Sequence, residues 1–334
     1  MTSDTVHRRG QTLRCRRLRG LVASAVLVLT IAACGNDGSA TGTRAVDNCG
    51  GTVSFTDVPS RVVLLKSASV PALAHLGVLD HVVARAGQYP DAYYDDATRA
   101  ALAKIPSITD RLDAGGHLQI SREEVIAQNP DLVIGQATNV TRETLAASNI
   151  PLVEEQALCG SLDGDASFDD VYDEVRMYGT IFDRSDQADE YVAQLKAQVA
   201  KISARRQGTE RSVAVLYPTI GGGVTYAYGR GSMAAPLVAA AGLSDVFGDQ
   251  AKRVFEVTPE ELVGRNPDVI ISLYSEGDPA DVVKAVTSLP GAASITAVRT
   301  NTILPLLLNF AEPPTPLAVN GLQRVDEFLA AHPR

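Results

Sequence analysis

The side chains best able to engage a small molecule in this chain stand where short apolar runs end. Lys66 and Ser67 follow Arg61-Val62-Val63-Leu64-Leu65, Gln136 follows Leu132-Val133-Ile134, and Tyr217 closes Ser212-Val213-Ala214-Val215-Leu216. Tyr89 stands in Gly87-Gln88-Tyr89-Pro90, while Tyr226, Tyr228, Arg230, Tyr274 and Asn309 occupy comparable places in the second half. Tyrosine offers a flat apolar face with a hydroxyl at its tip, which suits a large amphipathic ligand. Lys66 and Arg230 would attract an anion. One strand-end tyrosine is more often a packing or surface residue. The gathering of several points to a recognition surface.

Catalysis is poorly served by the same inventory. A nucleophile needs a base within reach, yet there is no Gly-x-Ser-x-Gly. Beyond the N-terminal segment the histidines are His75, His81, His117 and His332, in helical, strand-edge or terminal contexts with no i, i+4 pair. A bare zinc or manganese site wants several converging His and carboxylates. The expected ligand is therefore a chelated metal or an organic molecule, and no resident metal or other cofactor is expected. Gly221-Gly222-Gly223 permits close backbone approach but lacks the Lys-Ser/Thr ending of a phosphate loop, and reads as a loop at the rim of a cleft. Trp is absent, which leaves the ligand's identity open.

The elements that must position these residues follow from periodicity. Short buried strands at 61–65, 81–84, 132–134, 212–217 and 269–271 alternate with helical stretches such as Val70 to Leu76 and Leu237 to Gly242. That alternation implies parallel sheets with helices on their faces, which bind ligands at the carboxyl ends of the strands. The pattern also repeats. Residues 120–135, ISREEVIAQNPDLVIG, align without gaps on 257–272, VTPEELVGRNPDVIIS. In each copy Ser121 or Thr258 can cap the helix, two Glu complement its dipole, and Pro130 or Pro267 stops it before an apolar strand. Between the copies, Ala188, Tyr191, Val192, Leu195, Val199 and Ile202 mark one face of a helix over 186–206, roughly 30 Å long. The fold class expected is α/β: two Rossmann-like lobes with parallel sheets, joined by one long α-helix that permits rocking rather than wide closure. The lobes are expected at 51–184 and 208–334, with the joining helix at 185–207.

The N-terminus reads as a leader. Six Arg between Arg8 and Arg19 precede a 13-residue apolar run, Leu21 to Ala33, too short for a membrane span of about 20 residues. The run ends Ile31-Ala32-Ala33-Cys34, which looks like a bacterial lipobox in which the Cys34 thiol is acylated before cleavage. Residues 1–33 then form the signal, and several acyl chains on Cys34 would hold the rest at the membrane. Residues 34–50 are small and polar and read as a flexible tether. The full chain carries a net charge of −9; losing six Arg and one Asp leaves 24 basic and 38 acidic side chains, a net of −14. Such a balance argues against nucleic acid as a partner. Cys49 and Cys159 remain as an even pair in an oxidising compartment, and a disulfide between them would close a loop of about 110 residues; two unrelated thiols are the alternative.

These features resemble the periplasmic binding proteins for iron-siderophores, haem and cobalamin, the group with a single long inter-lobe helix. The resemblance covers roughly 50–330. Asn-Pro-Asp-Leu-Val-Ile at 129–134 and its twin at 266–271 carry it, with Arg61-Val62-Val63 and Leu76-Gly77-Val78 in support. It implies a ligand in a cleft between lobes and partners in an ABC permease and its ATPase. It also implies a monomer held outside the cytoplasmic membrane. Glu123 and Glu260 fall where that family's permease-docking carboxylates lie, with Glu124 and Glu261 as possible substitutes. A ferric siderophore is the first expectation for the ligand, with a corrinoid, haem or another cofactor-like organic anion as the alternative. The competing readings are a two-lobed hydrolase or chelatase, and an envelope lipoprotein that binds no small molecule.

Overall fold

The computed structural model describes residues 43–113, 117–160, 164–206 and 211–333. The signal segment and Cys34 lie outside them. The described chain begins with an antiparallel hairpin, β1 (Arg44–Asn48) and β2 (Gly51–Phe55). Cys49 and Gly50 make its turn with φ of 53° and 72°. The tether expected over 34–50 is therefore shorter. Val46 and Asn48 turn inward in alternation, a period too brief to stand out when Val46 is the only large apolar residue of the strand.

The first sheet follows: β3 (Val62–Leu64), α1 (Val70–His75), β4 (Val82–Arg85), α2 (Asp96–Leu102), α3 (Arg122–Ile126), β5 (Leu132–Ile134), α4 (Arg142–Ala146) and β6 (Leu152–Val153). Its strand order is β4-β3-β5-β6, all parallel. Both faces are buried, as crossover helices require. Val62, Leu64, Leu132 and Ile134 join one apolar cluster, and Val63, Leu65 and Val133 join another on the opposite face.

Two helices come next, α5 (Phe168–Ile181) and α6 (Ser185–Arg206). The second sheet and its helices are β7 (Arg211–Pro218), β8 (Thr225–Tyr228), α7 (Ala234–Ala240), β9 (Leu243–Asp245), β10 (Val254–Val257), α8 (Pro259–Arg265), β11 (Val269–Tyr274), α9 (Pro279–Thr287), α10 (Thr296–Arg299), β12 (Ile303–Leu307) and α11 (Pro316–Ala331). Here β9, β7, β11 and β12 are parallel, while β8 runs antiparallel to both β7 and β10. The sheet is thus mixed at one edge.

The repeated sequence unit forms the same structure twice. The Ser121 side chain caps α3 by accepting from Glu124 N–H, and Thr258 caps α8 by accepting from Glu261 N–H. Asn129 and Asn266 both take positive φ, 49° and 43°, a conformation that Asn tolerates. The aspartates that follow each Pro then lock the neighbouring strand. Asp131 accepts from the N–H groups of Ser60 (2.8 Å) and Arg61 (2.9 Å), and Asp268 accepts from Ser212 N–H (2.9 Å).

At 22 residues α6 is about 33 Å long, close to the expected span. It is not the only long helix. α5 packs beside it, joined to it by a turn in which Asp183 has φ of 56°. α6 also packs on α7 and α11, and α5 on α1 and β1. His75 of α1 stacks on Tyr191 of α6 with ring centroids 3.7 Å apart. Asp326 of α11, mostly buried, receives Arg205 and Arg206 at 2.6 Å each. One apolar cluster runs from Val62 and Leu64 through Tyr178, Val192 and Leu195 to Val215, Ile271 and Leu322. The two sheets share this core, which limits their relative motion to small displacements. Among the described residues no helix is long and apolar enough to cross a membrane.

Candidate functional site

The carboxyl ends of both sheets face a cleft of about 830 Å³, within the range of small-molecule sites. One wall carries Lys66 and Ser67 beyond β3, Gln88 and Pro90 beyond β4, Gln136 beyond β5, and Glu155 and Leu158 beyond β6. The other carries Tyr217 on β7, Tyr226 and Tyr228 on β8, Arg253, Ser275, and Leu308, Asn309 and Glu312 after β12. The three tyrosines share a sheet face because Tyr217 pairs with Tyr226 across β7 and β8, and Tyr228 lies two residues on. Leu216 and Ala227 fill the opposite face. The Gly221-Gly222-Gly223 loop joins these strands, with φ of 88°, 100° and 132°, and Ile220 and Val224 beside it are exposed.

Of the residues picked out by strand-end position, Lys66, Ser67, Gln136, Tyr217, Tyr226, Tyr228 and Asn309 line the cleft together. Three do not. The Tyr89 hydroxyl turns into the lobe, 3.2–3.4 Å from the carbonyls of Leu64, Ala86 and Lys66. Arg230 is held away by Asp165 at 3.0 Å. Tyr274 closes β11, and strand alternation puts its neighbour Ser275 into the cleft instead. Cleft residues that strand-end reasoning passed over are Tyr93, His117, Arg253 and Glu312. Glu312 follows β12, so the strand-end rule, applied a few residues further, reaches it. Arg253 precedes a strand, where the rule does not look.

The base of the cleft joins the lobes. Asn309 N–H donates to the Tyr93 hydroxyl and its side-chain amide to Ser67 Oγ, both at 3.0 Å. Burial pushes the Tyr93 and Tyr228 hydroxyls well above the usual phenol range, so both remain neutral donors. Arg253 meets the buried Glu312 carboxylate at 3.0 Å. Burial raises the Glu312 carboxyl, and Arg253 opposes that shift. Glu154, behind the first wall, is raised to about 7, chiefly by burial and against the pull of Lys66. His117 Nδ1 lies 3.3 Å from Asp113. Among the described residues no group of three His, Cys, Asp or Glu is placed to hold a metal ion.

Residues 62–306 match the family model described as periplasmic binding protein. The chain belongs to that family. It is 50% identical to a solved structure described as an ABC-type Fe3+-hydroxamate transport system from Saccharomonospora viridis, with a TM-score of 0.81 over 85% of this chain and 98% of that one. The haem-binding protein RhuT of Roseiflexus sp. RS-1 (24% identity, TM-score 0.64, 82% and 99% covered) and the vitamin B12 binding protein BtuF of Vibrio cholerae (15%, 0.58, 82% and 98%) share the fold. No curated protein matches the chain significantly. Periplasmic binding proteins are solute-binding partners of ABC importers rather than enzymes, which places this chain outside the cytoplasm with a small-molecule ligand and a permease as partners.

On this binding protein, Glu123 and Glu260 each occupy the second position of their helix and are exposed. Glu123 pairs with its neighbour Arg122 at 2.9 Å. Glu124 and Glu261 occupy the third position. Glu124 turns back to its own N-cap and Glu261 lies 3.6 Å from Arg265. Helix geometry therefore leaves the second-position carboxylates outward on both lobes. The Cys49–Cys159 disulfide is formed, with Cα atoms 5.7 Å apart.

Proposed function

We propose that this periplasmic binding protein captures a ferric siderophore, of the hydroxamate class, and delivers it to an ABC permease driven by its ATPase. The similarity at 50% identity to a protein described as an Fe3+-hydroxamate transport system carries the reading. The cleft supports it. Tyr93, Tyr217, Tyr226 and Tyr228 offer ring faces to an organic shell, and Lys66, Gln136, Arg253 and Asn309 offer donors to the oxygens of a chelate. The ligand supplies its own iron coordination, so the protein need only recognise the shell. Because the lobes share a core and are bonded through Asn309, capture proceeds in a largely preformed groove.

The same proposal takes residues 1–33 as an export signal, Cys34 as the lipid-bearing residue and 35–43 as the tether. The lobes are 44–184, which takes in the β1–β2 hairpin, and 208–334 about the helix Ser185–Arg206. Glu123 and Glu260 are the docking carboxylates, since paired carboxylates suit bidentate arginine on a partner. The protein acts as a monomer on the outer face of the cell membrane. The chain has no Trp, so tyrosine emission reports on the cleft. Titration with a ferric trihydroxamate, cobalamin and haem should give saturable quenching with the first. Quenching by haem or cobalamin alone would move the ligand assignment to that class, and product formation would overturn the carrier role.

A further inference from the structure

The β1–β2 hairpin precedes the region the family model covers, yet its turn reaches the wall of the cleft. Asn48, 1% exposed, lies against β6, the edge strand of the first sheet. Its side-chain amide donates to the Glu154 carbonyl (2.8 Å) and accepts from Glu154 N–H (3.0 Å), completing the edge as another strand would. Arg142 of α4 donates to the carbonyl and side-chain oxygens of Asn48, both at 2.9 Å. The next residue, Cys49, is bonded to Cys159. The hairpin thus grips one stretch of chain at both ends, and between the grips lie Glu155 and Leu158, which line the cleft.

That stretch is costly to keep in place. Glu154 and Glu155 are 3% and 2% exposed, and neither carboxyl oxygen of Glu155 has a hydrogen-bond partner among the described residues. Glu174 of α5, 7% exposed, is buried in the same space, beside the Tyr178 hydroxyl and Ser69. Lys66, Gln136 and Arg142 face Glu154, while Glu174 and Tyr178 face Glu155. Released from its grips, the stretch would turn these carboxyls toward water. Resting on the reading that the cleft binds ligand, we propose that the hairpin is a disulfide-locked clasp. It positions Glu155 and Leu158 in the cleft wall, so that reducing Cys49–Cys159 lowers ligand affinity while both sheets stay folded.

The test compares three forms of the full chain: oxidised, reduced with a water-soluble phosphine and alkylated, and C49S/C159S. The phosphine breaks the S–S bond to give two thiols and becomes its oxide, with water supplying the oxygen and protons. Hydrogen exchange across 152–159 should accelerate at least tenfold in the latter two forms, with 213–216 and 269–273 unchanged. The Kd for a ferric trihydroxamate, the probe, should rise at least tenfold. Asn48→Ala, which keeps the disulfide, should loosen the same stretch to a smaller extent. The proposal is overturned if 152–159 exchanges at the oxidised rate, if acceleration spreads evenly over both sheets, or if affinity survives local loosening. An oxidised protein that binds no chelate would sink the ligand reading alone, and exchange would then decide on the clasp.

Discussion

Gly321 lies in α11 directly under the turn that carries Leu308 and Asn309 into the cleft. A Cβ added there would stand 1.8 Å from the Phe310 carbonyl oxygen, 2.7 Å from its carbon and 3.0 Å from its Cβ. Ordinary contact begins at about 3.4 Å, so in Gly321→Ala the carbonyl must retreat by about 1.6 Å. Overpacking of this kind costs about 1–3 kcal/mol or more, against a helix-propensity gain of about 1 kcal/mol for Gly to Ala. Because an approach of 1.8 Å belongs at the upper end of that range, the balance is a loss of about 2 kcal/mol, or a fall in Tm of about 3 °C for a chain of this size. A shift of that size also carries Asn309 beyond hydrogen-bond range of Ser67 and Tyr93, both now at 3.0 Å. Calorimetry and chelate titration on the same preparation should therefore show lower Tm and weaker binding together. A variant with unchanged or raised Tm and native affinity would refute the coupling of α11 to the cleft.

Other substitutions separate stability from function. Asp131→Ala and Asp268→Ala each remove the acceptor that locks a neighbouring strand, and each should cost about 1–3 kcal/mol in denaturant unfolding while leaving chelate affinity unchanged. A cost at only one of them would break the equivalence of the two units. Charge reversal of Glu123 and Glu260 together should spare binding and abolish cellular uptake; uptake that survives would remove them from docking. Glu154 (raised to about 7), Asp245 (raised to about 6) and Glu174 all bind protons more tightly when folded. Stability should thus fall as pH rises from about 4.5 to 7. His75, lowered by burial, works the other way below pH 6.5. Melting temperatures across pH 5 to 8 check the sign, and a slope unaltered in Glu154→Gln would show that this carboxyl is not among the causes.

Much of the architecture was legible because parallel strands buried on both faces leave unbroken apolar runs, and because the capped helix and Asn-Pro-Asp stop recur at a fixed offset. The α6 face stood out for its length. α5 was harder to read, since Glu174 and Tyr178 are buried within it and blur its apolar stripe. The antiparallel edge at β8 and β10 was hidden because short half-exposed strands such as Val254–Val257 carry no parallel-sheet signature. In the cleft, strand-end position drew attention to Lys66, Ser67, Gln136, Tyr217, Tyr226, Tyr228 and Asn309, all of which line it. It could not foresee that Asp165 would hold Arg230, or that Tyr89 would turn its hydroxyl inward. Those outcomes depend on residues distant in sequence, as does the pairing of Arg253 with Glu312.

The most direct measurement is a crystal structure of the protein with a bound ferric trihydroxamate. The chelate should lie in the groove, contacted at once by Tyr217 or Tyr228 from one lobe and by Lys66 or Gln136 from the other. A chelate held on a single lobe, or elsewhere on the surface with the groove unchanged, would contradict it.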